Sequence, residues 1–312
     1  MAITDDDQAL FRYRPVTDKT INALKQDRLY LSTPDHYNDP FDSVCYIDEI
    51  KLKRSISQQL DIGIQDGFFD NRNMIRLIRE MPTVDNSLTK YDLSVPKVFA
   101  QSEAVCSDFL DSAIRLINNT RNNIISNSKV ACFSELYDSI LMWSHYADEH
   151  KGFAVVYTYG GLQSAKVYNS NGEMITRKIL VDRIHYSQTS LDSSQLFFDE
   201  TPEYLKTGKW SNCFGQSHLF YKLAEWSYEK EWRLWIVQND FSKTEDAAYL
   251  AVKPSAVILG TRMSVEDKKK VFESVKGRDI TILDSCPIFN DARFKLTIKK
   301  TNTKEIRKSK IQ

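Results

Sequence analysis

The stretch Glu225–Val237, EWSYEKEWRLWIV, constrains the fold more than any other part of the chain. From Glu231 onward it reads as a β-strand. Alternation places Trp232, Leu234 and Ile236 on one face and Glu231, Arg233, Trp235 and Val237 on the other. The downstream end is apolar on both faces, as expected of a strand deep in a sheet. The upstream end carries two acids, Glu229 and Glu231, on the face that also carries Arg233. Carboxylates at the mouth of a buried strand need a partner or a task. Either Arg233 neutralises them at a solvated strand entrance, or one of them is a catalytic acid at a cleft.

The rest of the composition narrows the class. The chain has 312 residues, with 42 basic and 42 acidic side chains and a net charge of zero, so no long-range field draws nucleic acid or an anionic membrane to it. Fifteen Tyr, 16 Phe and 5 Trp argue for a packed core and against disorder. The N-terminus is acidic without an apolar stretch, and no apolar run approaches membrane-spanning length. The cysteines, Cys45, Cys106, Cys132, Cys213 and Cys286, are scattered, with no CxxC pair. Reduced thiols and a cytoplasmic location are the expectation, with no structural zinc.

Read in order, the chain opens β–α–β. Phe11-Arg12-Tyr13-Arg14 is a short strand with its aromatics on one face and its arginines on the other. Thr17 caps a helix through Ile21 and Leu24, and Leu29–Thr33 is the second strand. A turn follows, bracketed by Pro34 and Pro40, in which Asn38 and Asp39 are natural formers that should bond backbone N–H groups. Residues 43–129 lack alternating patterns and read as a helical insertion or lid. The core resumes with a strand at Lys129–Phe133, a short helix at Ile140–Ala147 and strands at Gly152–Tyr157 and Lys178–Tyr186. Residues 190–225 read as helical. Strands at Tyr249–Val252 and Ala256–Gly260, a helix opened by Ser264, and strands at Ile280–Leu283 and Phe294–Ile298 complete the sheet. Residues 299–312 form a basic tail expected to be flexible. The fold class is α+β: a single domain with a mixed, split central sheet and a helical insertion, in which the Phe11 and Glu231 strands are neighbours or share one cleft.

Few motifs carry chemistry. His145 and His150 are five apart, the wrong spacing for two ligands on one helix face, and no metal site is expected. Cys132 sits in an apolar strand and reads as core rather than nucleophile. Arg12 and Arg14 need an anionic partner if buried. That partner is either Asp39, Asp42 or Glu231, or a phosphate of a ligand. Met142, Trp143 and Tyr146 on one short helix are either core or pocket lining.

Three blocks carry a family resemblance. They are Phe11–Arg14 with Leu29–Pro34 and Tyr37–Asp42, then Cys132–Glu135 with Met142–Ala147 and His150–Phe153, then Tyr228–Arg233. Together they resemble the bacterial domain of unknown function 2971 family. More distantly, the order of an aromatic–basic strand, a helix, a Leu-x-Leu-Ser strand and a late Glu-led strand resembles ADP-ribosyltransferase-like toxins. That likeness implies NAD as substrate and makes Glu231 the catalytic acid, with Glu229 as the other candidate. It gives Arg12 the diphosphate, with Arg14 and Asn38 nearby, and Ser32 and Thr33 the ribose. Trp143 or Tyr146 would stack on nicotinamide. A nucleic acid or protein would be the acceptor, in a toxin or phage-defence setting. The long insertion at 43–129 departs from the toxin pattern.

The first functional expectation is therefore an NAD-consuming or ADP-ribosyltransferase-like enzyme. The alternative is a non-catalytic sensor whose cleft binds a nucleotide or a partner. A metal-dependent nuclease built on Asp39, Asp42 and Glu231 is the weakest reading, because no Lys is evidently placed beside those acids.

Overall fold

The structure is a computed structural model and describes residues 8–54, 103–196, 199, 212–238, 243–289 and 295–302. The first strand, β1 (Ala9–Arg14), leads into helix α1 (Asp18–Lys25), which begins with a reciprocal box between Thr17 and Thr20. Strand β2 (Arg28–Tyr30) follows, then a 3-10 turn at Pro34–His36 and the short strand β3 (Cys45–Tyr46). After helix α2 (Glu103–Asn127) come β4 (Val130–Ser134) and α3 (Ile140–Tyr146), the latter capped by Ser139. Next are β5 (Phe153–Thr158), α4 (Tyr159–Gln163), β6 (Lys166–Asn169) and β7 (Met174–Ile175). Strands β8 (Ile179–Arg183), β9 (His185–Ser187) and β10 (Leu191–Asp192) precede helix α5 (Asn212–Leu219). Strand β11 (Tyr221–Leu223) and a 3-10 segment, Ala224–Glu229, lead into β12 (Glu231–Ile236). Strands β13 (Ala247–Ala251) and β14 (Ala256–Leu259), helix α6 (Val265–Val275), and strands β15 (Thr281–Ile288) and β16 (Lys295–Lys300) complete the order.

The main sheet has eight strands in the order β16-β15-β14-β5-β1-β4-β12-β8. It is mixed: β14 and β15 run parallel, and the other neighbours run antiparallel. A smaller sheet, β2-β13-β6-β7, packs beside it. Strand β12, the stretch that dominates the sequence, lies between β4 and β8 and is buried along its whole length.

The sheet parts at one junction. Strand β1 pairs with β5 over six residues, and β4 pairs with β12 over five. Between β1 and β4 only Phe11 and Ser134 are paired. Beside this junction Ser32, just past β2, exchanges two backbone bonds with Val130, at 3.0 and 2.8 Å. Strands β1 and β12 thus flank β4 and face a common opening.

Three apolar clusters hold the layers. Leu10, Phe133, Trp232, Leu234 and Ile236 pack toward α1, α6 and the smaller sheet. Phe11, Tyr13, Ala154 and Ile258 pack against Met142 and Trp143 of α3. Val130 and Trp235 pack against Ile124 of α2 and Phe214 and Leu219 of α5.

Several sequence expectations need correction. Of the 43–129 segment, residues 55–102 lie outside the described residues. Its described end, α2, buries Ile117 and Ile124, and Ile124 belongs to the core under Trp235. That end is helical, as expected, and packs into the core. Residues 299 and 300, expected in a flexible tail, belong to strand β16. Lys299 and Lys300 pair with Asp284 and Leu283, and Thr301 is buried, while residues 303–312 lie outside the described residues. The stretch Phe220–Ala224, read as helical, contains strand β11, paired parallel to β9. The Tyr186 end of the expected Lys178–Tyr186 strand is a separate element, β9.

Candidate functional site

Where β1 and β4 part, a cleft of about 570 Å³ opens, within the size range of small-molecule sites. Its walls come from both faces of the sheet. Arg12, Arg14, Phe133 and Tyr157 line one side, and Cys132, Glu231 and Arg233 the other, with Tyr30, Ser32, Tyr37, Asn38, Tyr146 and Lys222 around the mouth.

One end of the cleft is cationic. Arg12 is buried, donates through Nη2 to the Tyr30 carbonyl at 2.9 Å and lies over the Phe133 ring. Arg14 is half-buried on the same wall. Among the described residues no carboxylate reaches ion-pair distance of either arginine. Of the acids that sequence reasoning offered them, Asp42 and Glu231 are held by Arg233 and Lys222, and Asp39 accepts from the Phe41 backbone N–H. Burial, and then the neighbouring charge of Arg14, pulls the Arg12 pKa down to about 9, so it remains a cation at neutral pH. Burial also lowers that of Arg14. The exposed Lys19 and the half-buried Arg28 extend this end toward the surface.

The other end is a closed network of charges. Arg233 is wholly buried and holds Asp42 through two bonds, Nη2–Oδ2 at 2.5 Å and Nη1–Oδ1 at 2.9 Å. The same guanidinium reaches Glu231 Oε1 through Nε at 2.8 Å and Oε2 through Nη2 at 3.3 Å, and donates to the Leu219 carbonyl at 2.6 Å. Lys222 Nζ sits 2.7 Å from Glu229, 3.1 Å from Glu231 and 3.5 Å from Asp42. Three carboxylates against two cations leave the network with one negative charge. Burial pushes the Glu231 carboxyl up, but Arg233 and Lys222 outweigh it and hold it below the usual carboxylate range. Burial opposes the Lys222 charge, and Glu231, Asp42 and Glu229 more than reverse that, so its pKa is raised.

Local backbone geometry assembles this end. Lys230 adopts φ 45°, a left-handed conformation that a side chain tolerates poorly. It turns the chain from the 3-10 segment into β12, so Glu229 and Glu231 converge on one lysine. The Ser134 hydroxyl donates to the Glu229 carbonyl at 2.6 Å and fixes that turn to β4. The Tyr146 hydroxyl, from α3, donates to Glu229 Oε1 at 2.6 Å and accepts from Asn38 Nδ2 at 3.4 Å.

Arg12, Arg14, Ser32, Asn38, Tyr146, Glu229 and Glu231 thus all line one cleft. Two other sequence candidates do not. Trp143 is fully buried against Tyr13, and its indole N–H donates to the Tyr137 carbonyl at 2.8 Å. The Thr33 hydroxyl is taken by Asp35 and by His36 Nδ1. The turn also differs in detail. Asp39 accepts from the Phe41 backbone N–H at 2.9 Å, as expected, but Asn38 reaches across to Tyr146 instead. Cys132 lies 3.5 Å from the Tyr37 hydroxyl, and burial, then Glu231, pushes its thiol up to about 12, far from a thiolate nucleophile.

Lys222 and Asp42 are the residues that sequence reasoning missed in these roles. The signal for Lys222 was a lone lysine among apolar neighbours, Phe220-Tyr221-Lys222-Leu223, which a strand reading would have turned inward. Asp42 gave no signal that separated it from an ordinary turn acid. Among the described residues no three His, Cys, Asp or Glu side chains converge as metal ligands. Contrary to the sequence expectation, a lysine does lie beside two acids of the nuclease reading: Lys222 is 3.5 Å from Asp42 and 3.1 Å from Glu231, and Arg233 pairs with both.

The fold and site define a mixed α+β protein with a bipolar cleft in a parted sheet. Over residues 142–234 the chain matches the family described as "Protein of unknown function (DUF2971)". The matched span contains Tyr146, Lys222, Glu229, Glu231 and Arg233, but not Arg12 or Asp42. No curated protein and no solved structure matches the chain. No helix among the described residues is long and apolar enough to cross a membrane.

Proposed function

We propose that the cleft binds a phosphate-bearing nucleotide of the NAD class and that the protein is an NAD-consuming, ADP-ribosyltransferase-like enzyme. The observation that carries this reading is the pair Arg12 and Arg14, two cations on the wall of an open cleft with no carboxylate partner among the described residues. An unpaired buried guanidinium is costly to hold, and a diphosphate is the anion that its planar fork fits best. The parted sheet supports the same reading, because it lets the first strand and the Glu-led strand face one ligand. At the opposite end, a network of net negative charge suits the positive charge that builds on ribose as the nicotinamide bond breaks. The acceptor would be water, a protein or a nucleic acid.

A second reading rests on one observation. Both oxygens of Glu231 are already held by Arg233 and Lys222. If no carboxylate of the network is released to the ligand, the cleft binds the nucleotide without cleaving it, as a sensor does.

Labelled NAD separates the two. Incubation of the full chain should release nicotinamide and leave label on an acceptor or in free ADP-ribose, and Arg12→Gln should reduce both at NAD concentrations below saturation. Binding without release identifies the sensor. Neither binding nor release removes the NAD reading.

A further inference from the structure

The network offers two carboxylates to the ligand, and their hydrogen bonds are not alike. Glu231 accepts from Arg233 Nε at 2.8 Å on one oxygen and from Lys222 at 3.1 Å and Arg233 Nη2 at 3.3 Å on the other. Each oxygen thus has a buried cation as partner, and the Cys132 thiol adds a further side-chain bond to the same carboxylate. Freeing either oxygen splits an ion pair inside the protein, which is strongly unfavourable. Glu229 differs. Its Oε2 accepts from Lys222 at 2.7 Å, but its Oε1 is held by the neutral hydroxyl of Tyr146 at 2.6 Å. That hydroxyl comes from the short helix α3 on the cleft wall, and its only other bond among the described residues is the long one to Asn38. Exchanging one hydroxyl donor for another separates no charges.

We propose that Glu229 is the carboxylate that meets the ligand, by exchanging the Tyr146 hydroxyl for a sugar hydroxyl of the nucleotide, and that Glu231 belongs to the framework. The assignment rests on the NAD reading above for its chemistry, and on the ion-pair geometry for its structural half. Lys222 bridges the two acids and holds Oε2 of Glu229 while its Oε1 is available. Tyr146 acts as the placeholder for the ligand hydroxyl.

The glutamine variants distinguish the two acids. In Glu229→Gln the amide oxygen can still face Lys222, and its NH2 can face the Tyr146 oxygen, so every bond has an acceptable partner. In Glu231→Gln the amide NH2 must face Lys222 or Arg233, donor against donor. Glu229→Gln should melt close to wild type and release nicotinamide about a hundredfold or more slowly, with little change in KM. Glu231→Gln should melt several degrees lower. The assignment is overturned if Glu229→Gln turns over like wild type, or if Glu231→Gln melts like wild type and has lost turnover. If the wild-type protein releases no nicotinamide, the enzyme reading falls, and the framework role of Glu231 is decided by melting alone. It then stands if Glu231→Gln is the less stable of the two variants, and falls if the order is equal or reversed.

Discussion

Asp42 and Arg233 are 191 residues apart in the chain and form a buried, two-bond ion pair, with the Tyr37 ring lying over the guanidinium. The pair ties the turn after β2 to the middle of β12, across the cleft mouth. Asp42→Ala leaves Arg233 wholly buried with Glu231 as its remaining carboxylate. Stability should fall by about 3–5 kcal/mol, measured by urea unfolding. The double variant Asp42→Leu with Arg233→Met removes both charges and should be less destabilised than the sum of its single changes. Simple additivity would show that the two groups do not act as a pair.

Arg12 is a prediction of the opposite sign. It is buried, and among the described residues it has a carbonyl partner and no carboxylate, so its charge burdens the fold. Arg12→Gln should melt no lower than wild type. Its affinity for NAD should fall about ten- to hundredfold, the equivalent of roughly 1.5–3 kcal/mol for hydrogen bonds from a charged group. Calorimetric titration of both proteins checks this, and a large fall in melting temperature would mark Arg12 as structural.

Gly152 carries the close approach that seats β5 beside β1. A Cβ there would lie 2.1 Å from the Arg14 carbonyl oxygen and 2.9 Å from that of Ala147. Neither is a flexible side-chain end. Gly152→Ala should lose at least about 2 kcal/mol by overpacking. It should also weaken nucleotide binding, because Arg14 moves with its backbone. An unaffected melting curve would show that the loop relaxes freely.

Acid stability should report on His218. The imidazole is buried, bonds the Phe214 carbonyl through Nδ1 at 2.8 Å and faces the Ser193 hydroxyl through Nε2 at 3.0 Å. Burial lowers its pKa from 6.5 to about 4. The unfolded chain takes up a proton below pH 6.5, whereas the folded chain does so only near 4. The stability contributed by neutral His218 is present above 6.5 and is lost as pH falls toward 4, on the order of 3 kcal/mol in all. Urea midpoints across this window should fall in the wild type and fall less in His218→Met.

Within the turn, Asp39 and not Asn38 holds the local backbone bond. Asp39→Ala should lower stability by about 1 kcal/mol, as for loss of a cap. Asn38→Ala, which gives up only the 3.4 Å contact to Tyr146, should change melting little. Equal effects on melting would show that the two side chains share the load.

Much of the architecture was legible because it is local. Period-two alternation in Glu231–Ile236 announced a buried strand, and the structure buries every residue of it. Thr17 and Ser264 announced their helices through side chains that meet the backbone three residues on. The arginines of β1 were visible as charges among apolar neighbours. Phe220–Ala224 was misread because three residues of strand, paired with distant β9, have no period long enough to detect. Trp143 was ambiguous because an aromatic on a short helix looks the same whether it faces core or cleft.

What the chain determined by itself, then, is which segments are strands or helices and which charges are expensive to bury. Those follow from hydrogen bonding and side-chain period over a few residues. Which charge meets which was decided only by the tertiary structure. Asp42 meets Arg233 from 191 residues away, and Lys222 reaches Glu229 and Glu231 only because Lys230 turns left-handed between them. The cleft has the same origin. It opens where β1 and β4 share a single pair and Ser32 bonds Val130 from outside the strand, and that meeting of distant segments leaves no periodic trace in the sequence of either one.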